Sequence, residues 1–194
     1  MKNKQVVWAK TILIAYDELE QLCGAIDKLV DTIAGGSFYS CGPWIASNEV
    51  YNVSQKIINL SEKKVKYINL KVIVEKCMKM LNKKDAKVVV LRYVKKMEPA
   101  EIAGVLKISL RSYFRIAKSA LEQLADAMET FGYNFAKMEN EYLSDLFISS
   151  IYRSVFLDGR LNNEVHENSK SSILTGGKLK GIVNESMATL LVGC

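Results

Sequence analysis

The stretch "EIAGVLKISLRSYFRIAKSAL", Glu101 to Leu121, decides the expected fold of this chain. It holds two short runs of apolar residues at helical spacing, separated by "KIS" at 107–109. A small residue, Ala103, stands where two crossing helices must approach closely. The residues that would bury the faces of both helices stand at the expected offsets from this alanine: Ile102, Leu106, Ile108, Tyr113 and Ile116. The stretch therefore predicts a helix-turn-helix.

The turn position departs from the usual pattern, because Lys107 stands where glycine is commonest. A positive φ at this residue would cost a lysine on the order of 1 kcal/mol, which a folded domain tolerates. We therefore keep the helix-turn-helix prediction.

The second helix of the motif, predicted from Leu110 to about Phe131, divides into two faces. The apolar face is predicted to be buried and contains Tyr113, Ile116, Ala117, Ala120, Leu121 and Leu124. The polar face begins with arginines and serines and has no acidic residue before Glu122. Arginine bonds guanine O6 and N7 in a bidentate manner, hydroxyls bond bases or phosphates, and a helix N-terminus suits a phosphate. The predicted DNA contacts are Lys107, Ser109, Arg111, Ser112, Arg115, Lys118 and Ser119.

The charge distribution supports a polyanionic partner. Residues 69–128 hold thirteen Lys/Arg and six Asp/Glu, a net charge of +7, whereas residues 1–68 carry +1 and residues 129–194 carry −2. The positive charge is thus concentrated around the motif. A solvated lysine-rich face of a purely structural helix pair remains the alternative explanation.

The N-terminal segment has an a/d heptad pattern, which predicts one amphipathic helix from Trp8 to about Ala34, stopped by "AGGS" at 34–37. Its apolar seam consists of Ile12, Ala15, Leu19, Leu22, Ile26, Leu29 and Ile33. A loop over "FYSCGPWIASN" and a second helical run from about Asn48 to Leu81, with a break near Lys63-Lys64, follow. The seam is expected to pair either with a second copy of the chain or antiparallel with residues 50–81.

The rest of the chain is also predicted to be helical or irregular. "NKKD" at 82–85 is expected to form a turn with Asp85 as helix cap, followed by a compact helix over "AKVVVLRYVKKM". Pro99 suits the first position of the next helix. Residues 135–157 look helical, "DGRLNNEVHENSKSS" looks like a loop, and the last residues form a short helix or strand. The expected class is all-α, with a coiled-coil-like arm at 1–68, a helix-turn-helix domain at 69–131 and an extension of unassigned role at 132–194.

Several classes of function are disfavoured by composition. The four cysteines are scattered without a C-x-x-C and there is one histidine, His166, so no metal site is expected. "TGGKLKG" lacks the spacing of a phosphate-binding loop, and no catalytic constellation is evident, so we expect neither a cofactor nor an enzyme. No apolar run is long enough to span a membrane, and the N-terminus does not resemble a signal peptide. The expected location is the cytoplasm.

The segment "DAKVVVLRYVKKMEPAEIAGVLKISLRSYFRIAKSALEQL" resembles region 4 of bacterial sigma-70-type factors, most specifically in "LRY", "EIA", "IS" and "AL". No aromatic and basic promoter-melting helix precedes it, unlike in a complete sigma factor. The layout of residues 8–128 is instead similar to ArpU- and RinA-type phage transcriptional regulators of Gram-positive bacteria.

This resemblance implies a regulator of phage or prophage late or packaging genes that binds double-stranded promoter DNA and contacts RNA polymerase. A homodimer through the N-terminal seam is a further expectation. Two alternatives stay open: a sigma-like factor that needs core polymerase, and a helical adapter that does not bind DNA.

Overall fold

The computed structural model describes residues 2–40 and 47–165, with side chains placed over 4–36 and 50–158. Its elements are α1 (Lys2–Ser40), α2 (Ser47–Met80), α3 (Lys83–Val89), a π-helical turn (Val90–Val94), α4 (Pro99–Leu106), α5 (Leu110–Thr130), α6 (Phe135–Tyr142) and α7 (Leu146–Val165). These described residues contain no β-strand. The all-α prediction is confirmed.

Helices α1 and α2 pack antiparallel. Lys64 forms a salt bridge with Asp27, and Lys71 Nζ lies 2.8 Å from Glu20 Oε2, so residue numbers rise along α2 as they fall along α1. The heptad seam of α1 is at most 1% exposed from Ile12 to Ile26, and Leu29 and Ile33 are partly buried. Of the two pairings expected for this seam, the structure has the one within the same chain. The seam is therefore not available to a second copy.

Two predicted helix interruptions are wrong. Helix α1 continues through "AGGS" to Ser40, because glycine weakens a helix by roughly 1 kcal/mol without forbidding helical backbone. Helix α2 has no break at Lys63-Lys64, because lysine is a good helix former and α2 contains neither glycine nor proline. Lys63 Nζ lies 3.2 Å from Asp145 Oδ2, and Lys64 binds Asp27.

The cap of α3 is also corrected. Asn82, not Asp85, is the N-cap, because the Asn82 side chain accepts hydrogen bonds from the backbone N–H groups of Lys84 and Asp85. Asp85 instead lies in the first turn and is buried.

The segment predicted as one helix over 135–157 is split into α6 and α7. Asp145 caps α7 by accepting from the backbone N–H of Ile148 at 3.0 Å, and its other oxygen accepts from the Tyr67 hydroxyl at 2.8 Å. Burial, together with this carboxylate, raises the pKa of Tyr67 far above its usual range. Helix α7 then runs to Val165, through the first eight residues of the expected polar loop, where no proline interrupts it.

Two hydrophobic cores lie side by side and share α5. The larger core joins α1, α2, α6 and α7 with the second half of α5. The smaller core contains Val88, Leu91, Ile102, Ala103 and Tyr113. The boundary expected between residues 68 and 69 falls inside α2, which contributes Tyr67 and Leu70 to the same core on either side of it.

Several expectations fall outside the described residues. These are the loop segment 41–46 with Cys41, and everything from His166 onward, including "TGGKLKG", Cys194 and the predicted last helix or strand. Among the helices that are described, none combines the length and apolar character needed to cross a bilayer.

Candidate nucleic-acid interface

The scaffold helix α4 is fixed at both ends. A capping box starts it, with the Glu98 backbone N–H donating to Glu101 Oε2 at 3.0 Å, and Pro99 occupies its first turn as predicted. At its C-terminal end Lys107 has φ 52° and ψ 46°. This left-handed residue lets the Ile108 N–H reach the Ala103 carbonyl at 3.0 Å, as in a Schellman motif. The lysine therefore carries the strained turn that the sequence analysis described.

The small core under the motif has the predicted composition. Ile102 is fully buried, Ala103 is 6% exposed and Tyr113 is 3% exposed. Leu106, Ile108 and Ile116 pack against them as partly buried residues. Helices α4 and α5 are thus held by a compact cluster that is distinct from the larger core of the bundle.

Ser109 starts α5. Its Oγ accepts a hydrogen bond from the Ser112 backbone N–H at 3.1 Å and donates one to Ser112 Oγ at 2.9 Å. This cap fixes the N-terminus of α5 where its free backbone N–H groups and its positive dipole end are exposed to solvent. Ser109 therefore acts first as a helix cap, and Ser112 is half-buried beside it.

The basic residues of the motif are exposed, and none of them is used in an ion pair with another described residue. Lys107, Arg111, Arg115 and Lys118 are exposed, and none has an ion-pair partner among the described residues. Arg111, Ser112, Arg115 and Lys118 surround one shallow, open depression together with Phe114. We call these five residues the α5 face. Lys107, Ser109 and Ser119 are not part of its lining, and Ser119 Oγ accepts a hydrogen bond from Gln123 Nε2 at 3.1 Å.

Phe114 was missed by the sequence analysis. Its side chain is 56% exposed although it is a large aromatic group, and its ring meets Tyr113 edge-to-face with centroids 5.1 Å apart. The available signal was its position, three residues after Arg111 and four before Lys118, which puts it between them on the helix surface. An exposed ring at this place suits the methyl group of a thymine or a sugar face.

Helix α3, which contacts α5, carries three further exposed lysines. Gln123 Nε2 donates to Asp85 Oδ2 at 2.6 Å, which holds the start of α3 against the middle of α5. Lys83, Lys84 and Lys87 of α3 are exposed and have no ion-pair partner among the residues with described side chains. In the sequence these lysines contribute to the net charge of +7 over residues 69–128, but no motif there indicates that they form a site.

Other basic residues nearby have structural partners. Arg92, in the π-helical turn, donates from Nη1 to the Met97 carbonyl at 2.9 Å and lies 3.6 Å from Glu98 Oε2. Lys96, at φ 55°, places Nζ 2.8 Å from Asp17 Oδ2 on α1. The Lys96 ion pair thus connects the segment after the π-helical turn to α1, whereas both Arg92 contacts are local. Both cations differ from the basic residues of the α5 face, which have no ion-pair partner among the residues with described side chains.

Comparison with known proteins agrees with this geometry. Residues 71–124 match the family model described as Sigma-70, region 4. Residues 71–124 form a sigma-70 region 4-like helix-turn-helix. No curated protein and no solved structure matches the chain. Region 4 is a DNA-binding regulatory domain and not an enzymatic one, and in general it acts with DNA and RNA polymerase. The match supports DNA-binding transcription regulation, and it covers the α4–α5 motif with α3 and the end of α2.

The described residues also contain no group of three or more His, Cys, Asp or Glu side chains that could hold a metal ion. The region 4-like unit is therefore the one assembly in the described part of the chain for which both geometry and family comparison indicate a ligand.

Proposed function

We propose that the chain is a sequence-specific transcriptional regulator that binds promoter DNA by placing the N-terminal half of α5 in the major groove. The observation that carries the proposal is the α5 face, where three cations surround an exposed aromatic ring on a region 4-like unit, and no described side chain forms an ion pair with them. An ordinary solvated helix face normally mixes both signs of charge, whereas this one has no acid before Glu122.

The proposed contacts divide into two kinds. Arg111 and Arg115, with Ser112, are assigned to base edges, because they are exposed on the first turns of α5 that would enter the groove. Lys107, Ser109, Lys118 and Ser119 are assigned to phosphates at the rim, where they would set the position of the helix. Ser109 would contribute through the helix N-terminus that it caps.

The finer part of the proposal is the control of late or packaging genes in a phage or prophage. It rests on the likeness of the layout of residues 8–128 to ArpU- and RinA-type regulators. Such a regulator acts in the bacterial cytoplasm, where phage DNA is transcribed. Genome-wide footprinting in the host would identify the bound promoter, and a site upstream of terminase or portal genes is the expected result.

The biochemical test measures binding of the purified full chain to that promoter fragment by fluorescence anisotropy, in the absence of polymerase. Arg111→Ala and Arg115→Ala are each expected to weaken specific binding by about 1–3 kcal/mol. Lys66→Ala is the matched control, since Lys66 is an exposed cation on α2 that forms no ion pair within the part of the chain whose side chains are described. If both arginine variants bind with unchanged affinity and circular dichroism shows that they are folded, α5 is not the DNA-contacting helix.

A sigma-like factor is the second candidate, because the matched family is a sigma-factor region. Such a factor would bind the promoter only together with core RNA polymerase, so adding core enzyme to the same assay separates the two functions. An adapter that binds protein alone would show no shift under either condition. The net charge of +7 over residues 69–128 argues against such an adapter.

A further inference from the structure

Helix α2 has a second apolar surface on the side away from α1. Tyr51, Ile58, Val65 and Val72 follow one another at intervals of seven residues and are 68%, 49%, 55% and 40% exposed. Ile68, 43% exposed, stands three residues after Val65 on the same side. We call these five residues the α2 stripe. The opposite side of the helix is the one buried in the bundle, through Leu60, Tyr67, Leu70, Val74 and Cys77.

The spacing of the α2 stripe indicates what kind of partner it fits. Single exposed apolar residues are ordinary on a protein surface, but a regular row is not. On a straight helix an apolar row that repeats every seven residues drifts by only about 20° per heptad, so these residues stay on one side, and a partner helix with the same repeat can follow the row by a slight supercoil. Tyr51 to Val72 spans roughly 32 Å at the helical rise, which is three heptads. The fitting partner is a helix with this period and not a flat surface.

We propose that two copies of the chain pair through their α2 stripes, with the two α2 helices parallel and in register. With Tyr51, Ile58, Val65 and Val72 as a positions, the d positions are Ser54, Ser61, Ile68 and Glu75.

A parallel pair stacks each a residue on its own copy, so that apolar residues meet apolar ones. An antiparallel pair sets a against d, where three of the four residues are polar. Ile58, Val65 and Val72 are also β-branched, and β-branched residues are compatible with the a positions of a two-stranded parallel pair.

The charges beside the α2 stripe allow this pairing. Lys64 and Lys71 flank the stripe and would approach the other helix, but each is neutralised within its own chain by Asp27 and Glu20 of α1. Beyond Val72 the apolar row ends, because the next d and a positions are the charged residues Glu75 and Lys79. The pairing therefore extends over Tyr51–Val72 and ends before the C-terminal turns of α2.

Parallel pairing has a consequence that rests on the proposed function. The helix-turn-helix follows the C-terminal end of α2, so both units lie at the same end of the pair and are related by its two-fold axis. A two-fold pair of recognition helices matches an inverted-repeat DNA site. The partner that the α2 stripe selects is thus a second copy of the chain bound at the neighbouring half-site.

Sedimentation equilibrium of the full chain without DNA tests the pairing. The wild type is expected to be a dimer at tens of micromolar. Combining Ile58→Glu with Val65→Glu places unpaired carboxylates in the interface and should raise the dimer dissociation constant at least about 100-fold. Asn59→Glu is the matched control, because Asn59 is exposed next to Ile58 but off the α2 stripe, and it should stay dimeric.

Cross-linking tests the orientation and remains informative if the double variant misfolds. Under mild oxidation Ser54→Cys is expected to give a covalent dimer, above any background from the wild-type cysteines, because residue 54 meets its own copy only when the helices are parallel. A monomeric wild type overturns the proposal, whether the α2 stripe is then open or covered by another segment of the same chain. A dimer that survives Ile58→Glu/Val65→Glu, or that Ser54→Cys fails to cross-link, also overturns it.

The result is independent of the DNA proposal. The dimer mass is measured without DNA, and Arg111→Ala should leave it unchanged while weakening promoter binding. Loss of DNA binding in the arginine variants with an intact dimer, or the reverse, therefore assigns a failure to one proposal or the other.

Discussion

The side-chain amide of Gln123 donates a hydrogen bond of 2.6 Å to Oδ2 of Asp85, and this bond joins the middle of α5 to the start of α3. The same carboxylate oxygen accepts from Asn82 Nδ2 at 2.7 Å. Asp85 is 5% exposed, so its charge is kept in the interior by donors from two elements. The orientation of the helix that carries the α5 face thus depends on a polar contact as well as on apolar packing.

Asp85→Ala should lower the free energy of unfolding by about 1.5–3 kcal/mol, because two part-buried hydrogen bonds to the buried Asp85 carboxylate are lost. Urea denaturation followed by circular dichroism measures the change. Glu122→Ala removes an exposed carboxylate from the same stretch of α5 and should alter stability by less than about 0.5 kcal/mol. Equal effects of the two substitutions would show that the Asp85 contact is not structural.

Two substitutions of Lys107 separate the effect of its positive φ on stability from the effect of its charge on DNA binding. Lys107→Gly should raise the free energy of unfolding by about 1 kcal/mol, since glycine adopts φ 52° without a Cβ penalty. Lys107→Ala removes the same charge but keeps the Cβ, so it should not be stabilising. If Lys107 contacts a phosphate, both variants should weaken DNA binding to the same extent. A glycine variant no more stable than the alanine variant would contradict the strain.

Lys118 is expected to act through its charge alone. Lys118→Ala should weaken binding to specific and non-specific DNA alike and reduce the slope of log affinity against log salt by about 1. Arg111→Ala should instead lower specific affinity preferentially. Titrations at several salt concentrations, on promoter and scrambled duplexes, distinguish the two effects. A Lys118 variant that loses only specific binding would move this residue to the base-contacting group.

Cys77 should react very slowly with alkylating reagents in the native protein. Burial raises the pKa of its thiol to about 11, so at pH 8 it is protonated as well as inaccessible. Only the thiolate reacts, and we therefore expect alkylation of Cys77 at least about 100-fold slower than in urea. Mass spectrometry of digested protein assigns the modified cysteine. Rapid native labelling of Cys77 would show that the contact between α1 and α2 opens readily.

Phe114 invites a comparable test of apolar contact with DNA. Phe114→Ala should weaken promoter binding, and Phe114→Leu should retain part of the affinity, because both effects follow the apolar area that remains. Since the ring is 56% exposed, neither change should lower stability by more than about 1 kcal/mol. An anisotropy titration beside thermal unfolding separates the loss of affinity from the loss of fold.

The sequence predicted the helix-turn-helix well, because its determinants are local. Ala103 at the crossing, Ser109 before α5 and the alternation of Tyr113 and Ile116 with arginines all act within about 15 residues of each other. The match of residues 71–124 to region 4 agrees with that interpretation.

Long-range arrangements were not predictable in the same way. The seam of α1 had the pattern of a dimer interface, but α2, α5 and α7 of the same chain cover it, and nothing local distinguishes the two outcomes. The ion pair of Lys63 with Asp145 likewise joins residues that are distant in sequence, and no local pattern indicates it. Phe114 was missed because an aromatic residue on an amphipathic helix is normally assigned to the core.

The two cores share α5, and this sharing limits how the protein can be cut. Ala120, Leu124 and Met128 pack into the bundle, while Tyr113, seven residues earlier, belongs to the small core. A fragment beginning at residue 69 would keep the N-terminal half of α5, which is proposed to contact DNA, but it would expose the second half, which packs against α1. Such a fragment would be prone to aggregate, so the minimal stable unit for structural work includes the N-terminal helices.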